Sequence, residues 1–145
     1  MKLYDLRTEY RENPIGLTDK APRFSWKIES EEQNTIQTAY EIKVTDENDN
    51  VVWNSGKKAS DQSVLIPYDG EALKDEMLYK VEVSVADNHG NVESIEGTFE
   101  TGIFDNTEFI AKMITSDFPA EETACPVFGK TFAIDKKVKK ARLYA

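Results

Sequence analysis

Apolar and polar residues alternate along three stretches in the first hundred positions, at residues 24–28, 40–44 and 79–85. An alternation of period two is typical of a β-strand with one buried face and one face in water. Further runs rich in β-branched and aromatic residues predict shorter strands, the first of them at a sheet edge: residues 3–10, 51–53, 64–66 and 95–101. Only a single helical turn is predicted, at residues 71–76, because no longer window keeps a helical period.

Clusters of turn-forming residues separate these runs, as at residues 46–50 and 87–91, which are rich in Asp and Asn. Such side chains tolerate left-handed backbone or hydrogen-bond the backbone locally. Short strands at this spacing, with one apolar and one polar face, indicate an antiparallel β-sandwich.

Tyr79 opens the longest alternating run, six residues after Leu73. A Tyr at the start of the sixth strand that hydrogen-bonds back to the preceding corner is the tyrosine corner of Greek-key sandwiches. Residues 79–90 resemble the corresponding strand and turn of fibronectin type III domains, and Trp26 is expected to be the central aromatic residue of the core. The predicted fold is therefore all-β, a fibronectin III/immunoglobulin-like antiparallel β-sandwich.

The distribution of charge predicts where this sandwich ends. The chain has 27 acidic against 18 basic side chains, a net charge of −9, yet residues 103–145 hold 6 acidic and 7 basic ones. We therefore predict a sandwich over residues 1–104, followed by residues 105–145 as a linker and the first strands of an incomplete jelly-roll-like β-domain. Those strands are expected at residues 127–134 and 138–145. Because the sequence stops inside the second of them, we expect a fragment of a longer protein.

The composition excludes several classes of function. A strongly acidic chain is a poor match for nucleic-acid backbones or anionic membranes. It has no apolar run long enough to span a bilayer, and its start lacks the apolar stretch of a signal peptide, so a cytoplasmic location is expected. A single histidine, His89, and a single cysteine, Cys125, exclude a multi-His metal site and an internal disulfide within one chain. No cofactor is predicted.

Nine short motifs occur in a fixed order along nearly the whole chain. They include Leu-Arg-Thr-Glu-Tyr-Arg-Glu-Asn-Pro-Ile-Gly-Leu at residues 6–17 and Pro-Arg-Phe-Ser-Trp-Lys-Ile at residues 22–28. The others lie at residues 37–42, 53–57, 60–63, 99–102, 109–114, 126–132 and 138–144. In this order they resemble the N-terminal region of bacterial α-L-rhamnosidases. Val81 and Met113 stand where that family often has Trp, which exchanges one large apolar residue for another.

The resemblance implies a place in a larger enzyme. Members of the family are multidomain glycoside hydrolases in which a fibronectin III-like sandwich precedes a jelly-roll-like domain, a catalytic (α/α) barrel and a C-terminal β-domain. The barrel removes terminal L-rhamnose with inversion and holds the catalytic carboxyl groups, so no catalytic residue is expected in this chain. We expect a non-catalytic accessory module whose partners are the other domains of its enzyme. The alternatives are a carbohydrate-binding module and an independent fibronectin III-type protein-interaction module.

Trp53 and Tyr68 are the candidate carbohydrate contacts, because aromatic faces stack on the apolar faces of sugar rings. The alternative for Trp53 is packing over the sandwich. The acidic loop at residues 46–50 superficially matches a calcium loop, but Val51 and Lys57 stand where an EF-hand needs Gly and Glu. A solvated hairpin turn is the favoured interpretation.

The remaining candidates are expected to be surface residues. His89 lies in a turn, and Cys125 is expected to be an inert thiol. The two pairs of adjacent glutamates, at residues 31–32 and 121–122, would each point to opposite faces of a strand and so form no hydrolytic pair. The basic residues at 136–142 are interpreted as the polar side of a strand, or else as a contact for an acidic partner. The strands within residues 126–145 are expected to find substitute partners, either on the first sandwich or by self-association with another copy of the chain.

Overall fold

The computed structural model describes residues 1–105, 112–117 and 125–143. Its strands, in chain order, are β1 (Lys2–Thr8), β2 (Arg23–Glu29), β3 (Gln37–Asp46), β4 (Val51–Asn54), β5 (Ile66–Pro67), β6 (Leu78–Asp87) and β7 (Val92–Glu100). They form a three-stranded sheet with the order β1-β2-β5 and a four-stranded sheet with the order β4-β3-β6-β7. All the strand pairs are antiparallel. The predicted all-β sandwich is confirmed.

The core lies between the two sheets and follows the alternation in the sequence. On β6 the residues at positions 79, 81, 83 and 85 are each at most 2% exposed, whereas the residues between them face outward. Inward side chains of β2, β3 and β7 pack with them in this core: Phe24, Trp26, Ile42, Val44 and Phe99. Trp26 is 1% exposed, as expected for the central aromatic residue. Since β3 and β6 pair over almost their full lengths, they form the centre of the larger sheet.

A buried amide ties the Trp26 indole to the loop after β4. The Trp26 Nε1–H donates to the Gln37 side-chain oxygen at 2.9 Å. The Gln37 side-chain nitrogen donates to the backbone oxygens of Ser60 at 3.0 Å and Gln62 at 2.8 Å. Gln37 is only 4% exposed, so these bonds satisfy polar groups that water does not reach. The loop at residues 60–62 is thereby fixed to the core.

The tyrosine corner at the start of β6 is confirmed. The buried Tyr79 hydroxyl accepts a hydrogen bond from the Lys74 backbone N–H at 2.8 Å. The Thr101 hydroxyl completes the corner from the other side, because it donates to the Lys74 carbonyl at 2.6 Å and accepts from the Met77 N–H at 3.0 Å. The helical turn predicted at residues 71–76 is wrong. Lys74 bonds to these side chains, and Glu76 has a positive φ of 53°.

The strand predicted at residues 64–66 is displaced and shortened to β5. Leu65 has a positive φ of 54°, which ends regular pairing, and its N–H donates to the Ser25 hydroxyl at 2.9 Å. Pro67 lacks an N–H for a longer ladder. As a result β2 has only a two-residue neighbour on this side, together with one bond from the Trp26 N–H to the Ser63 carbonyl at 3.0 Å.

The segment at residues 13–17 closes the outer edge of β7. The Asn13 side-chain oxygen accepts from the Thr98 N–H at 2.8 Å, and the Pro14 carbonyl accepts from the Glu100 N–H at 2.9 Å. Leu17 then runs parallel to Thr101, with its N–H bonded to the Glu100 carbonyl and its carbonyl to the Gly102 N–H. The end of β7 is therefore hydrogen-bonded on both sides, to β6 and to residues 13–17.

The chain divides into two compact units, Met1–Ile110 and Ala111–Ala145. The boundary predicted after residue 104 stays a prediction. In the second unit no strand is formed within residues 112–117 and 125–143, so the strands expected at 127–134 and 138–145 are absent from its described residues. A strand exists only through a ladder to a neighbouring strand, and these residues form none. Tyr144 and Ala145 lie outside the described residues.

Candidate functional site

The two candidate carbohydrate contacts, Trp53 and Tyr68, lie against one another and against the core. Their rings meet edge to face at 5.2 Å between centroids, and the Phe24 ring stacks on Trp53 at 6.1 Å. Tyr68 is 5% exposed, and its hydroxyl donates to the Glu71 carbonyl at 2.7 Å. Burial raises the pKa of the Tyr68 hydroxyl to about 12. These contacts match the alternative in which the aromatic residues pack over the sandwich.

Gly70 lies directly over this aromatic pair. A Cβ at position 70 would come within 2.5 Å of the Trp53 Cβ and 2.6 Å of the Tyr68 hydroxyl oxygen. A residue with a side chain would therefore displace the pair. Sugar stacking needs an open ring face, which the buried Tyr68 lacks, so the proposed carbohydrate contact there has only the half-buried Trp53 to use. It stays a prediction without geometric support.

The acidic loop at residues 46–50 is a hairpin turn fixed by its first residue. The Asp46 carboxylate accepts the backbone N–H groups of Asn48 and Asn50 and the Asn50 side-chain amide, at 2.8–3.0 Å. The Asn50 amide and N–H lower the pKa of the Asp46 carboxyl. Its oxygens are thus used by N–H donors. Within the described residues, no group of three or more His, Cys, Asp or Glu side chains is placed to hold a metal ion.

The turn at residues 87–91 repeats the same arrangement. The Asp87 carboxylate accepts the backbone N–H groups of His89 and Asn91 and the Asn91 side-chain amide, at 2.8–2.9 Å. Burial raises the pKa of the Asp87 carboxyl, but these donors outweigh it and the net shift is downward. The β3–β4 and β6–β7 hairpins therefore close through one common device, an Asp that binds the Asn four residues later.

The other sequence candidates lie at the surface. His89 is exposed in its turn, with its Nδ1 at 3.7 Å from the Glu32 carboxylate. Cys125 is an exposed free thiol, and the basic residues at 136–142 are exposed. Glu31 is exposed as well, whereas the pair at residues 121–122 lies outside the described residues. No helix in the described part of the chain is long and apolar enough to cross a membrane.

A two-residue turn after β1 holds an exposed aromatic side chain in place. Glu9 and Tyr10 have φ values of 47° and 69°, and the Thr8 and Arg11 backbones bond to each other across them at 2.9 and 3.1 Å. The Glu9 carboxylate accepts from the Arg23 Nη2 at 2.6 Å and from the Arg23 Nε at 2.9 Å. The Arg23 guanidinium lies 5.5 Å from the Tyr10 ring centroid. Tyr10 is 62% exposed.

Beside this turn, the outer face of the three-stranded sheet carries a cleft of about 280 Å³. Tyr10 and Val64 are exposed apolar residues of its lining, and Asp5, Arg7, Ser25 and Lys27 are its polar ones. Asp5 lies at the irregularity in β1 between Tyr4 and Arg7, with a φ of 53°.

Ion pairs fix the charged groups of this cleft. The Asp5 carboxylate lies 2.7 Å from the Lys27 Nζ and 2.7 Å from the Arg7 Nε. Hydrogen bonds from Lys27, then from Arg7, hold the pKa of the Asp5 carboxyl below its ordinary value. Arg23 likewise lowers the pKa of the Glu9 carboxyl, against the desolvation that raises it. The carboxylates on this face are therefore charged near neutral pH, and each has a cationic partner.

Sequence reasoning missed this cleft for a physical reason. Its residues come from β1, from β2 and from the segment before β5, and the pairing of Arg7 with Ser25 and of Tyr4 with Lys27 depends on the register of β1 and β2. A local signal for the turn is also missing. Residues 8–11 lack Asn and Gly, which a two-residue hairpin turn with positive φ values ordinarily uses.

Comparisons with known proteins agree with this architecture. Residues 3–105 match the family described as "Rha78A-like, N-terminal immunoglobulin domain". An α-L-rhamnosidase of Streptomyces avermitilis is 36% identical over 120 residues, which cover 79% of this chain and 12% of that protein. One from Formosa agariphila is 31% identical over 152 residues, covering 91% of this chain and 16% of that protein.

A solved structure of the Streptomyces avermitilis α-L-rhamnosidase complexed with L-rhamnose is similar in fold. It superposes with a TM-score of 0.72 at 34% identity, over 77% of this chain and 11% of that one. The chain therefore spans less than a fifth of the length of these relatives. Since the family match extends over the whole sandwich, from β1 to the residues that follow β7, this chain belongs to the family of Rha78A-like N-terminal immunoglobulin domains.

Proposed function

We propose that the chain is a non-catalytic accessory module of an α-L-rhamnosidase and supports the packing of the other domains of that enzyme. The observation that carries the proposal is the family match over residues 3–105, in a chain that covers 12% and 16% of two matched α-L-rhamnosidases. In the full-length enzyme, terminal L-rhamnose would be hydrolysed with inversion. One carboxyl group would protonate the leaving oxygen and a second would activate water, both in another domain.

The electrostatics of the carboxyl groups support a non-catalytic role. A general acid for glycoside cleavage needs a pKa raised towards neutrality. In the described residues, the four carboxyl groups with a clear shift have their pKa lowered instead: Asp5, Glu9, Asp46 and Asp87. Each of them accepts hydrogen bonds that favour its charged form. These groups are suited to holding turns and strands in place.

An activity assay tests the first half of the proposal. The purified chain is incubated with 4-nitrophenyl α-L-rhamnoside, and released nitrophenol is measured against a heat-denatured sample. We expect no release above that control. Turnover that persists through repurification to constant specific activity would overturn the proposal.

The supporting role is tested in the full-length enzyme that carries this module. There Tyr79→Phe should shorten the half-life of rhamnosidase activity on heating, because it weakens the corner that Tyr79 fixes. The kcat/KM for the aryl rhamnoside at low temperature should be unchanged. Tyr40→Phe is the matched control, since the Tyr40 hydroxyl has no hydrogen bond in the described residues. A large fall in kcat/KM of a folded Tyr79→Phe enzyme would place this module in the chemistry and contradict the proposal.

A further inference from the structure

The turn at Glu9 and Tyr10 is built from residues that do not favour its geometry. Positive φ at both central positions is the requirement of the type I′ hairpin turn, for which Asn-Gly is the preferred sequence. Side chains with a Cβ are strained in this region of φ. Since Gly at the second position would close the same turn with less strain, folding alone does not account for Tyr10 there. Backbone strain of this kind is concentrated at functional sites.

Arg23 compensates for the strain and fixes the direction of Tyr10. It binds the Glu9 carboxylate through two nitrogens of its side chain, and its own backbone N–H donates to the same carboxylate at 2.7 Å. The Glu9 N–H in turn donates to the Arg23 carbonyl at 3.0 Å. The guanidinium also lies against the Tyr10 ring, and the Arg7 Nη1 donates to the Tyr10 carbonyl at 3.2 Å. The result is a rigid, exposed aromatic ring at the side of a cleft.

The cleft supplies the polar groups that such a ring would need beside it. Lys27 uses one donor on Asp5, whereas Arg7 uses its Nε on Asp5 and its Nη1 on the Tyr10 carbonyl. Their side chains are 60% and 45% exposed, so the remaining N–H groups are open to a ligand. Asp5 offers a charged acceptor that both cations hold in position. The volume of about 280 Å³ lies near the lower limit of small-molecule pockets, which suits one or two sugar rings.

We propose that this cleft binds a carbohydrate, with one sugar ring stacked on Tyr10 and its hydroxyl groups hydrogen-bonded by Asp5, Arg7 and Lys27. Sugar rings have an apolar C–H face and a rim of hydroxyl groups, and the cleft combines one aromatic face with fixed donors and an acceptor. The exposed Val64 adds an apolar contact that a 6-deoxy sugar can use with its methyl group. The choice of L-rhamnose as that sugar rests on the proposed function; the carbohydrate site itself does not.

Two other occupants agree less well with the same observations. A free anion would be attracted by Arg7 and Lys27, but the Asp5 carboxylate between them offsets much of that field. A protein partner would favour a contiguous apolar surface, whereas the exposed apolar residues of this face are interleaved with charged ones. Both occupants are distinguished from a sugar by the experiment below.

The test is a titration of the full chain, labelled with ¹⁵N, with methyl α-L-rhamnoside. We expect saturable shifts of the backbone amide signals of residues 5–10 and 25–27. Methyl α-L-mannoside, which differs by a hydroxyl group on C6, should bind more weakly. Tyr10→Ala should weaken binding about tenfold, which corresponds to the loss of one aromatic contact. Ile15→Ala is the matched control, because Ile15 is as exposed as Tyr10 but does not line the cleft.

A second variant separates binding from folding. Tyr10→Gly, which keeps the Glu9–Arg23 pair, should leave thermal stability equal or higher and weaken binding as much as Tyr10→Ala, because it relieves the positive φ at position 10 and removes the aromatic ring. Absence of saturable shifts with either sugar would overturn the proposal, as would equal losses from Ile15→Ala and Tyr10→Ala. Equal shifts with inorganic phosphate would assign the cleft to anions. If the full-length enzyme buries Tyr10 against another domain, with no response to sugar, the cleft is a protein interface. This titration measures sugar binding, whereas the test of the proposed function measures the release of nitrophenol. A failure of the carbohydrate site is therefore distinguishable from a failure of the proposed function.

Discussion

Replacing Tyr79 with Phe removes one oxygen atom from the hydrogen-bonded corner before β6. The ring would keep its stacked contact with Phe99, at 5.2 Å between centroids, because the apolar atoms are unchanged. What disappears is the acceptor for the Lys74 N–H at 2.8 Å. Since the ring is 2% exposed, water does not take the place of the hydroxyl without disturbing the core.

The expected cost follows from that unpaired N–H. An orphaned backbone donor in a partly buried site costs about 1–2 kcal/mol in the free energy of unfolding. For a domain of about 100 residues this lowers the melting temperature by roughly 4–15 °C. With a urea m-value of about 1–3 kcal/mol/M, the midpoint of unfolding should fall by roughly 0.3–2 M.

Urea unfolding followed by tryptophan fluorescence measures the change, because Trp26 is buried in the core. Tyr40→Phe controls for the loss of a tyrosine hydroxyl, since the Tyr40 hydroxyl makes no hydrogen bond in the described residues and the ring keeps its contact with Trp26 at 5.4 Å. Equal midpoints for the Tyr79→Phe and Tyr40→Phe proteins would refute the reasoning and remove Tyr79 from the energetics of the corner.

Two further predictions concern groups buried elsewhere in the sandwich. Gln37→Leu should lower the free energy of unfolding by about 2–3 kcal/mol, because it leaves the Trp26 indole N–H and two loop carbonyls without partners. The control Gln33→Leu, at an exposed position, should change the free energy of unfolding by less than about 0.5 kcal/mol. Equal urea midpoints for the two variants would contradict the prediction. The carboxyl groups of Asp46 and Asp87 have a lower pKa in the folded protein, so their contribution to stability is present above the unfolded pKa of about 3.9 and is lost as the pH falls through the folded value. The double variant Asp46→Asn/Asp87→Asn should therefore lose less melting temperature than the parent between neutral pH and pH values below about 4, and identical pH profiles from thermal scans would contradict this.

The strands were predictable from the sequence wherever local pattern and tertiary burial agree. Residues 79–85 alternate because β6 lies at the centre of one sheet with one face on the core, and the same reason applies to β2 and β3. Prediction failed where side chains capture the backbone. At residues 71–76 the helical composition is overridden by two hydroxyl groups that bind the Lys74 backbone, that of Tyr79 at the start of β6 and that of Thr101, 27 residues after Lys74.

The functional site was less accessible to sequence reasoning. Trp53 and Tyr68 are candidates from the sequence because aromatic faces stack on sugar rings, but aromatic residues serve cores more often than ligands, and Gly70 allows these two to pack closely. Tyr10 looked unremarkable in the sequence because its strain depends on a turn type. Its neighbours Asp5, Ser25 and Lys27 meet only after β1 and β2 have paired.

The double-sided bonding of residues 98–102 has a mechanical consequence. Leu17 runs parallel to Thr101, and the bonds of Asn13, Pro14 and Leu17 lie side by side along this stretch of the chain. A pulling force on the chain beyond Gly102 is directed along these paired segments, so it loads several hydrogen bonds at once in shear and does not peel them apart one by one. The sandwich should therefore resist unfolding when the chain is stretched from its C-terminal side. A domain that follows it would be attached to a mechanically stable segment.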